Sequence, residues 1–362
     1  MEQEVIKAGD DSGNRMVAKY TSPEGVIIYG IGVPQAWQTP LGPTWSYVIE
    51  GDKLTLVDTG CNGSVQYLEE GLEWIGYPLS AVGRVVVTHG HMDHDGSCFD
   101  VVSRSGAELW AHEVYSKLVG VSRWKLETEW RQRFSGSPIF EDEAFLERMK
   151  EHDEVGRRLE VTNVVTEGLT SDGFTFFYTP GHSPDELCIL FHKVLFSGDH
   201  ILPQITPHPS IGLSYGRFKD LLPEGYQGAN RYYGLKVYLR SLKRVSTLGD
   251  DITVMPAHRA FYGGKFNLIG LKRAWEIVEH HRSRCHGLIA LVRRGPLDLA
   301  SLTRKHFSRH QLQGHNFYLA FAEVISHIEF LHEAGDVALL GGNRKFVQWN
   351  GTENFTRVID EL

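Results

Sequence analysis

The chain lacks any apolar run that approaches the ~18 consecutive positions a membrane-spanning helix needs. Cysteine is scarce. Cys61, Cys98, Cys188 and Cys285 are scattered, with no CxxC pair. That pattern reads as free buried thiols in a reducing compartment rather than a disulfide framework. Positive charge is not in excess either. With 37 Lys and Arg against 45 Asp and Glu, the net charge is −8 and the pI is about 6.1. This argues against a nucleic-acid footprint over the whole surface. The opening residues, MEQEVIKAGDDSGN, are acidic and polar, unlike an export signal. The expectation is a cytoplasmic protein with no membrane partner. No internal repeat or low-complexity tract is visible.

What is present is an ordinary globular composition, 41% hydrophobic and 23% charged. A chain of 362 residues is long for one core. We expect a larger domain over 1–265 and a smaller one over 266–362. Short apolar segments bounded by Gly and Pro predict strands at 25–33, 45–50, 53–60, 84–89, 107–112, 174–180, 186–193, 193–199 and 251–258. Val65, Leu68, Leu72 and Ile75 recur at helical spacing and predict a helix over 64–76. Residues 113–160 change character and read as a helical insertion forming one wall of a cleft. Its aromatics, Trp124, Trp130 and Phe134, read as core.

Four of the predicted strands run into residues that bind metals. VVVTHGHMDHDG (85–96) brings His89, His91, Asp93 and His94 within six positions. YTPGHSPDE carries His182, LFSGDH carries Asp199, and VMPAHR carries His258. Imidazole and carboxylate suit a borderline cation such as Zn. His89, His91 and His182 form one incomplete set; Asp93, His94 and His258 form another. Asp199 is the candidate bridge between them. Two ions roughly 3.5–4 Å apart can share a bridging hydroxide and polarise a substrate oxygen.

These segments carry a resemblance. HGHMDH matches the HxHxDH signature of the metallo-β-lactamase superfamily, and TPGHSPDE, LFSGD and PAH resemble its later motifs. The similarity runs over about residues 20–265. It implies an αββα sandwich, with the helical insertion and a small C-terminal winged-helix-like domain added. It implies two divalent metal ions per chain, Zn first, with Fe or Mn as alternatives. Asp58, in LVDTG, would orient a metal ligand. Redox-active diiron members carry Glu where His91 stands and have a flavodoxin domain; this chain has neither, which favours hydrolysis.

The tail reads as three helices followed by a hairpin, VALLGGNRKFVQW. Asp298 is a candidate helix cap. The third helix has an apolar stripe of Leu319, Ala322, Ile325, Ile328 and Leu331. It offers Glu323, Glu329 and Glu333 and no Lys or Arg, so no DNA partner is expected. The stripe would instead pack on the catalytic domain, or on a second copy in a homodimer. HHRSRCH (280–286) reads as a solvated or core-satisfied cluster rather than a metal site.

The segment 200–235 is rich in Pro and Gly and long enough to be functional. Tyr215 is a candidate hydrogen-bond donor to a developing oxyanion. Arg217, Lys219, Arg231 and Arg259 are candidates to hold one anionic group of a substrate, and Asp93 or a metal-bound water to return a proton to the leaving group. The expected activity is hydrolysis of a small acyl substrate, a carboxylic ester or thioester such as an acyl-CoA or a lactone. Phosphodiester or RNA cleavage is the alternative; a binding protein without turnover is a third reading.

Overall fold

The computed structural model describes residues 1–36, 39–122, 143–212, 218–228, 232–313, 316–341 and 346–362. Two sheets face each other. The first has strands in sequence order: β1 (Glu2–Lys7), β2 (Val17–Thr21), β3 (Ile27–Val33), β4 (Thr44–Ile49), β5 (Leu54–Val57), β6 (Val82–Val86), β7 (Glu108–His112) and β8 (Asn163–Val165). Pairing is antiparallel from β1 to β5 and parallel from β5 to β8. The second sheet runs β14–β13–β12–β11–β10–β9. Its strands are β9 (Thr170–Ser171), β10 (Phe174–Tyr178), β11 (Leu187–Phe191), β12 (Val194–Phe196), β13 (Thr253–Met255) and β14 (Ile269–Gly270).

Side-chain alternation along each strand sorts residues between layers. On β4, Tyr47 and Ile49 enter the core between the sheets, while Val48 faces the outer helices. On β12, Val194 and Phe196 point inward and Leu195 outward. Helices α1 (Val65–Trp74) and α2 (Cys98–Ser105) cover the outer face of the first sheet. Leu68 and Leu72 on α1 are fully buried there, each contributing roughly 1.5–3 kcal/mol. The result is the expected αββα sandwich. The insertion contains α3 (Glu113–Leu118) and α4 (Glu143–Gly156). Trp124, Trp130 and Phe134 lie outside the described residues.

The second sheet is covered by α5 (Leu235–Val245) and α6 (Lys272–Val292). Beyond them come β15 (Leu297–Asp298), α7 (Leu299–His306), α8 (Asn316–Glu333), β16 (Val337–Leu340), β17 (Phe346–Trp349) and α9 (Phe355–Glu361). The expected hairpin is present as β16–β17, with β15 as a third strand. Asp298 caps α7 by accepting from the Ser301 N–H at 2.9 Å. One apolar cluster runs from Leu195 and Val254 through Leu239 and Ile277 to Ile325, Ile328 and Val347. The tail therefore shares a continuous core with the sandwich. Of the stripe on α8, Ala322, Ile325, Ile328 and Leu331 are buried, but Leu319 is 39% exposed.

Several elements go beyond the sequence reading, among them β2, β8, β9, α2 and α9. The N-terminal segment, read only as polar, supplies edge strand β1, whose residues are mostly exposed. Helix α5 buries Leu235, Tyr238, Leu239 and Leu242; that helical spacing was present in the sequence beside the long Pro- and Gly-rich segment. No helix among the described residues is long and apolar enough to cross a membrane.

Candidate metal centre

The strand ends predicted to carry ligands converge. The loops after β5, β6, β12 and β13, and the β10–β11 connection, bring Asp58, His89–His94, Asp199, His258 and His182 together. His91 Nδ1 lies 2.9 Å from His89 Nε2 and 3.2 Å from His182 Nε2. In the second group, Asp93 Oδ2 is 3.3 Å from His258 Nε2 and 4.0 Å from His94 Nε2. Asp199 touches both groups. Its Oδ2 is 3.5 Å from His182 Nε2, while Oδ1 is 3.5 Å from His94 Nε2 and 3.4 Å from His258 Nε2.

Backbone and carboxylate acceptors orient the imidazoles. A neutral imidazole has one N–H, so fixing its donor fixes its lone pair. His94 Nδ1 donates to Asp58 Oδ2 at 2.9 Å, His182 Nδ1 to the His208 carbonyl at 2.9 Å, and His258 Nδ1 to the Pro43 carbonyl at 3.0 Å. Each Nε2 is left as a lone pair aimed at the cluster. His94 Nε2, His258 Nε2 and Asp199 Oδ1 are buried without a hydrogen-bond partner. Such an atom costs about 1–3 kcal/mol, and three around one volume fit a cation. The imidazole and carboxylate donor set fits a divalent transition metal.

Asp58 is held in a left-handed backbone conformation, φ 57°. That costs ~1–3 kcal/mol unless surrounding bonds enforce it. Here they do: Oδ1 accepts the Thr88 N–H and Oδ2 the Thr88 hydroxyl, both at 2.8 Å, besides His94. Electrostatics follow the same geometry. Burial alone would pull His94 down, yet Asp199, Asp93 and Asp58 hold it well above the usual imidazole range. His258 is also raised, burial being outweighed by Asp199 and Asp93. Burial would raise Asp93 and Asp199, but the facing histidines pull both below the ordinary carboxylate range. A bound cation would take over the role of the imidazole protons.

Two carboxylates were overlooked in the sequence. Asp185 Oδ2 accepts the Gly90 N–H at 2.8 Å, between two ligand histidines. Glu186 Oε1 accepts the Asp199 N–H at 3.0 Å, and its Oε2 the Ser183 N–H at 3.2 Å. Both stand in SPDE, directly after His182; that position was the available signal. Burial, then Asp199, raises the Glu186 carboxyl well above its usual range.

A cavity of about 100 Å³ adjoins His91 and His182. Among the described residues that line it there is no Lys or Arg. Asp95 on its wall accepts from the Tyr115 hydroxyl at 2.9 Å and pairs with His152 Nε2 at 2.6 Å. Tyr215, Arg217 and Arg231 lie outside the described residues. Lys219 is exposed. Arg259 follows His258 in the chain, donates to the Pro40 carbonyl at 2.8 Å and stacks over Tyr262 at 4.4 Å.

The 280–286 cluster is satisfied only in part, because His281 Nε2 is buried without a hydrogen-bond partner. His281 and His327 meet at 3.0 Å, and His327 Nδ1 donates to the Glu323 carbonyl at 2.7 Å, completing a neutral donor–acceptor chain. These two histidines and the Glu323 carboxylate are near enough to be weighed as ligands. The Glu323 carboxylate, however, already pairs with Arg284, whose charge disfavours a cation there. His286 pairs with Glu353 at 3.0 Å.

Residues 39–258 match the sequence pattern of the metallo-beta-lactamase superfamily. The chain belongs to that superfamily. A probable metallo-hydrolase of Bacillus subtilis, YqjP, is 28% identical over 249 residues, 65% of this chain and 72% of its own. The hydroxyacylglutathione hydrolase GloC of Haemophilus influenzae is 30% identical over 148 residues, 40% of this chain and 59% of its own. A superfamily protein of Thermus thermophilus matches in structure with a TM-score of 0.68 at 24% identity, covering 89% of this chain and 98% of that one. A beta-lactamase domain protein of Burkholderia ambifaria gives 0.68 at 20%, covering 91% and 93%. At that coverage the fold shared with these two structures extends into the tail.

Proposed function

We propose that the protein is a metal-dependent hydrolase of carboxylic esters or thioesters. The observation that carries this reading is the convergence of seven His and Asp side chains on two groups joined by Asp199, with buried unpaired donor atoms facing inward. His89, His91 and His182 would hold one ion, and Asp93, His94 and His258 the other. Divalent ions there supply Lewis acidity, making water a stronger acid and polarising the scissile carbonyl. The chain does the rest. Asp58, Pro43 and His208 fix the imidazoles, Glu186 positions Asp199, and the cavity shields the reacting group from bulk water. Asp93, which accepts from Gln35 Nε2 at 3.3 Å, or a metal-bound water would pass a proton to the leaving group.

The cavity wall supports an acyl substrate over a phosphodiester. Extended phosphate backbones are bound by clustered cations, and the described lining contains none. The relative named for hydroxyacylglutathione hydrolysis supports a thioester. On metal-loaded protein, kcat/KM for acyl thioesters or lactones should exceed that for bis(nitrophenyl) phosphate and single-stranded RNA. The reverse order by tenfold, or ~1.4 kcal/mol in transition-state preference, would sink the acyl assignment.

The tail's role follows from its acidic helix. Glu329 accepts the Gly212 N–H at 2.8 Å, Glu333 pairs with Lys236 at 2.5 Å, and Glu323 pairs with Arg284. Each of the three glutamates has a partner within the fold, and Glu333 is exposed beside its lysine. A gel-shift titration at low salt should therefore show no tight DNA binding. Submicromolar affinity that falls steeply with added salt would contradict this.

A further inference from the structure

We infer that the cavity beside His91 and His182 is the binding site for a short apolar acyl chain, and that Met149 on α4 sets the chain length it accepts. This rests on the esterase or thioesterase reading above. Its apolar wall is formed by Leu118, Val119, Val121, Met149, Ile211 and Phe218, with Asp95, His152, Asp153, His208 and Ser210 also on the lining, and it opens directly on two ligand histidines. An acyl chain placed there sets its carbonyl carbon beside the first ligand group. The leaving group cannot take this place. A thiol carrier such as glutathione or a nucleotide thiol is large and anionic, whereas the cavity measures about 100 Å³ and its described lining carries no Lys or Arg. Engineered dry cavities of ~150 Å³ hold a benzene ring, so a chain on the order of four to six carbons is the expected occupant.

A length selector must be rigid, and α4 is anchored at several points. Near its C-terminus, His152 Nε2 bonds Asp95 at 2.6 Å, and Tyr115 holds Asp95 from the other side at 2.9 Å. Arg148 donates to the Ala36 carbonyl. The helix end also seats directly on the chain after α3. A Cβ on Gly156 would come within 2.8 Å of the Gly120 nitrogen, and one on Gly120, at φ 75°, within 2.6 Å of the Arg157 nitrogen. Only glycines allow that approach. Met149 is thus carried on a fixed wall, one turn before His152. Its thioether chain is unbranched and fills irregular apolar space, so changing its size changes the depth of the cavity.

The test is a series of N-acetylcysteamine thioesters from acetyl to decanoyl, assayed with wild type, Met149→Ala, Met149→Trp and Val121→Phe. Metal content is measured on each as a check on folding. Met149→Ala should move the optimum to longer chains. Met149→Trp and Val121→Phe should lower the hexanoyl-to-acetyl ratio of kcat/KM by about tenfold, the scale of one or two methylenes in an apolar pocket. Ratios unchanged across all three variants would overturn the inference. Should wild type cleave phosphodiesters and no thioester, the ester and thioester reading falls first, and calorimetric titration with hexanoate decides the pocket separately. Binding that Met149→Trp abolishes upholds it; absence of hexanoate binding overturns it.

Discussion

Asp199→Ala will empty both ligand groups and remove nearly all turnover. The Asp199 carboxylate spans the site, with Oδ2 toward His182 and Oδ1 toward His94 and His258. Removing it takes a donor from each group at once. Elemental analysis of reconstituted wild type should give about two transition-metal ions per chain, the stoichiometry of a two-metal site. The Asp199→Ala protein should fall well below one, with kcat/KM down by roughly 10,000-fold, the scale seen when members of a catalytic unit are deleted. His258→Ala should mainly empty the group it shares with Asp93 and His94. An Asp199→Ala protein that keeps full metal and near-native kcat/KM would remove Asp199 from the centre.

The second large effect lies far from the metals. Glu323→Ala should destabilise the protein by about 3–5 kcal/mol, because it strands the Arg284 guanidinium without its carboxylate. The two side chains are only 14% and 12% exposed, and they join α8 to α6. Urea unfolding followed by circular dichroism measures the loss. The paired replacement Glu323→Leu with Arg284→Met should recover most of it, since apolar neighbours can replace a buried ion pair at little cost. A single variant that unfolds within ~1 kcal/mol of wild type would show that this pair does not hold α8 to α6.

The ligand residue types were legible because they sit in short loops after apolar strands. HGHMDH, TPGH, FSGD and PAH each announce themselves within a few positions. The sandwich was legible for a related reason: alternation on strands such as β4 and β12 encodes which side chain enters which layer. The edge strand β1 was not, because its side chains are mostly exposed and leave no apolar pattern. The cavity was legible only as segments, 113–160 as one wall of a cleft and 200–235 as functional, and not as a lining of particular apolar residues. Met149, Val121 and Phe218 are ordinary apolar residues until α4 is laid against Gly120.

The sequence by itself determined the chemistry available to this protein: five histidines and two aspartates of metal-binding type, in the order of the metallo-beta-lactamase superfamily. Only the tertiary structure decided which nitrogen of each imidazole faces the centre. That choice is made by acceptors distant in the chain, Asp58 for His94, 36 positions away, and the Pro43 carbonyl for His258, 215 positions away. It also decided that Asp199 lies between the groups, and that α8 turns Glu329 and Glu333 to residues before 265 and Glu323 to α6. The physical reason is common to these cases. A residue type fixes what bonds a side chain can make, but its partner is set by packing between segments whose separation along the chain carries no signal.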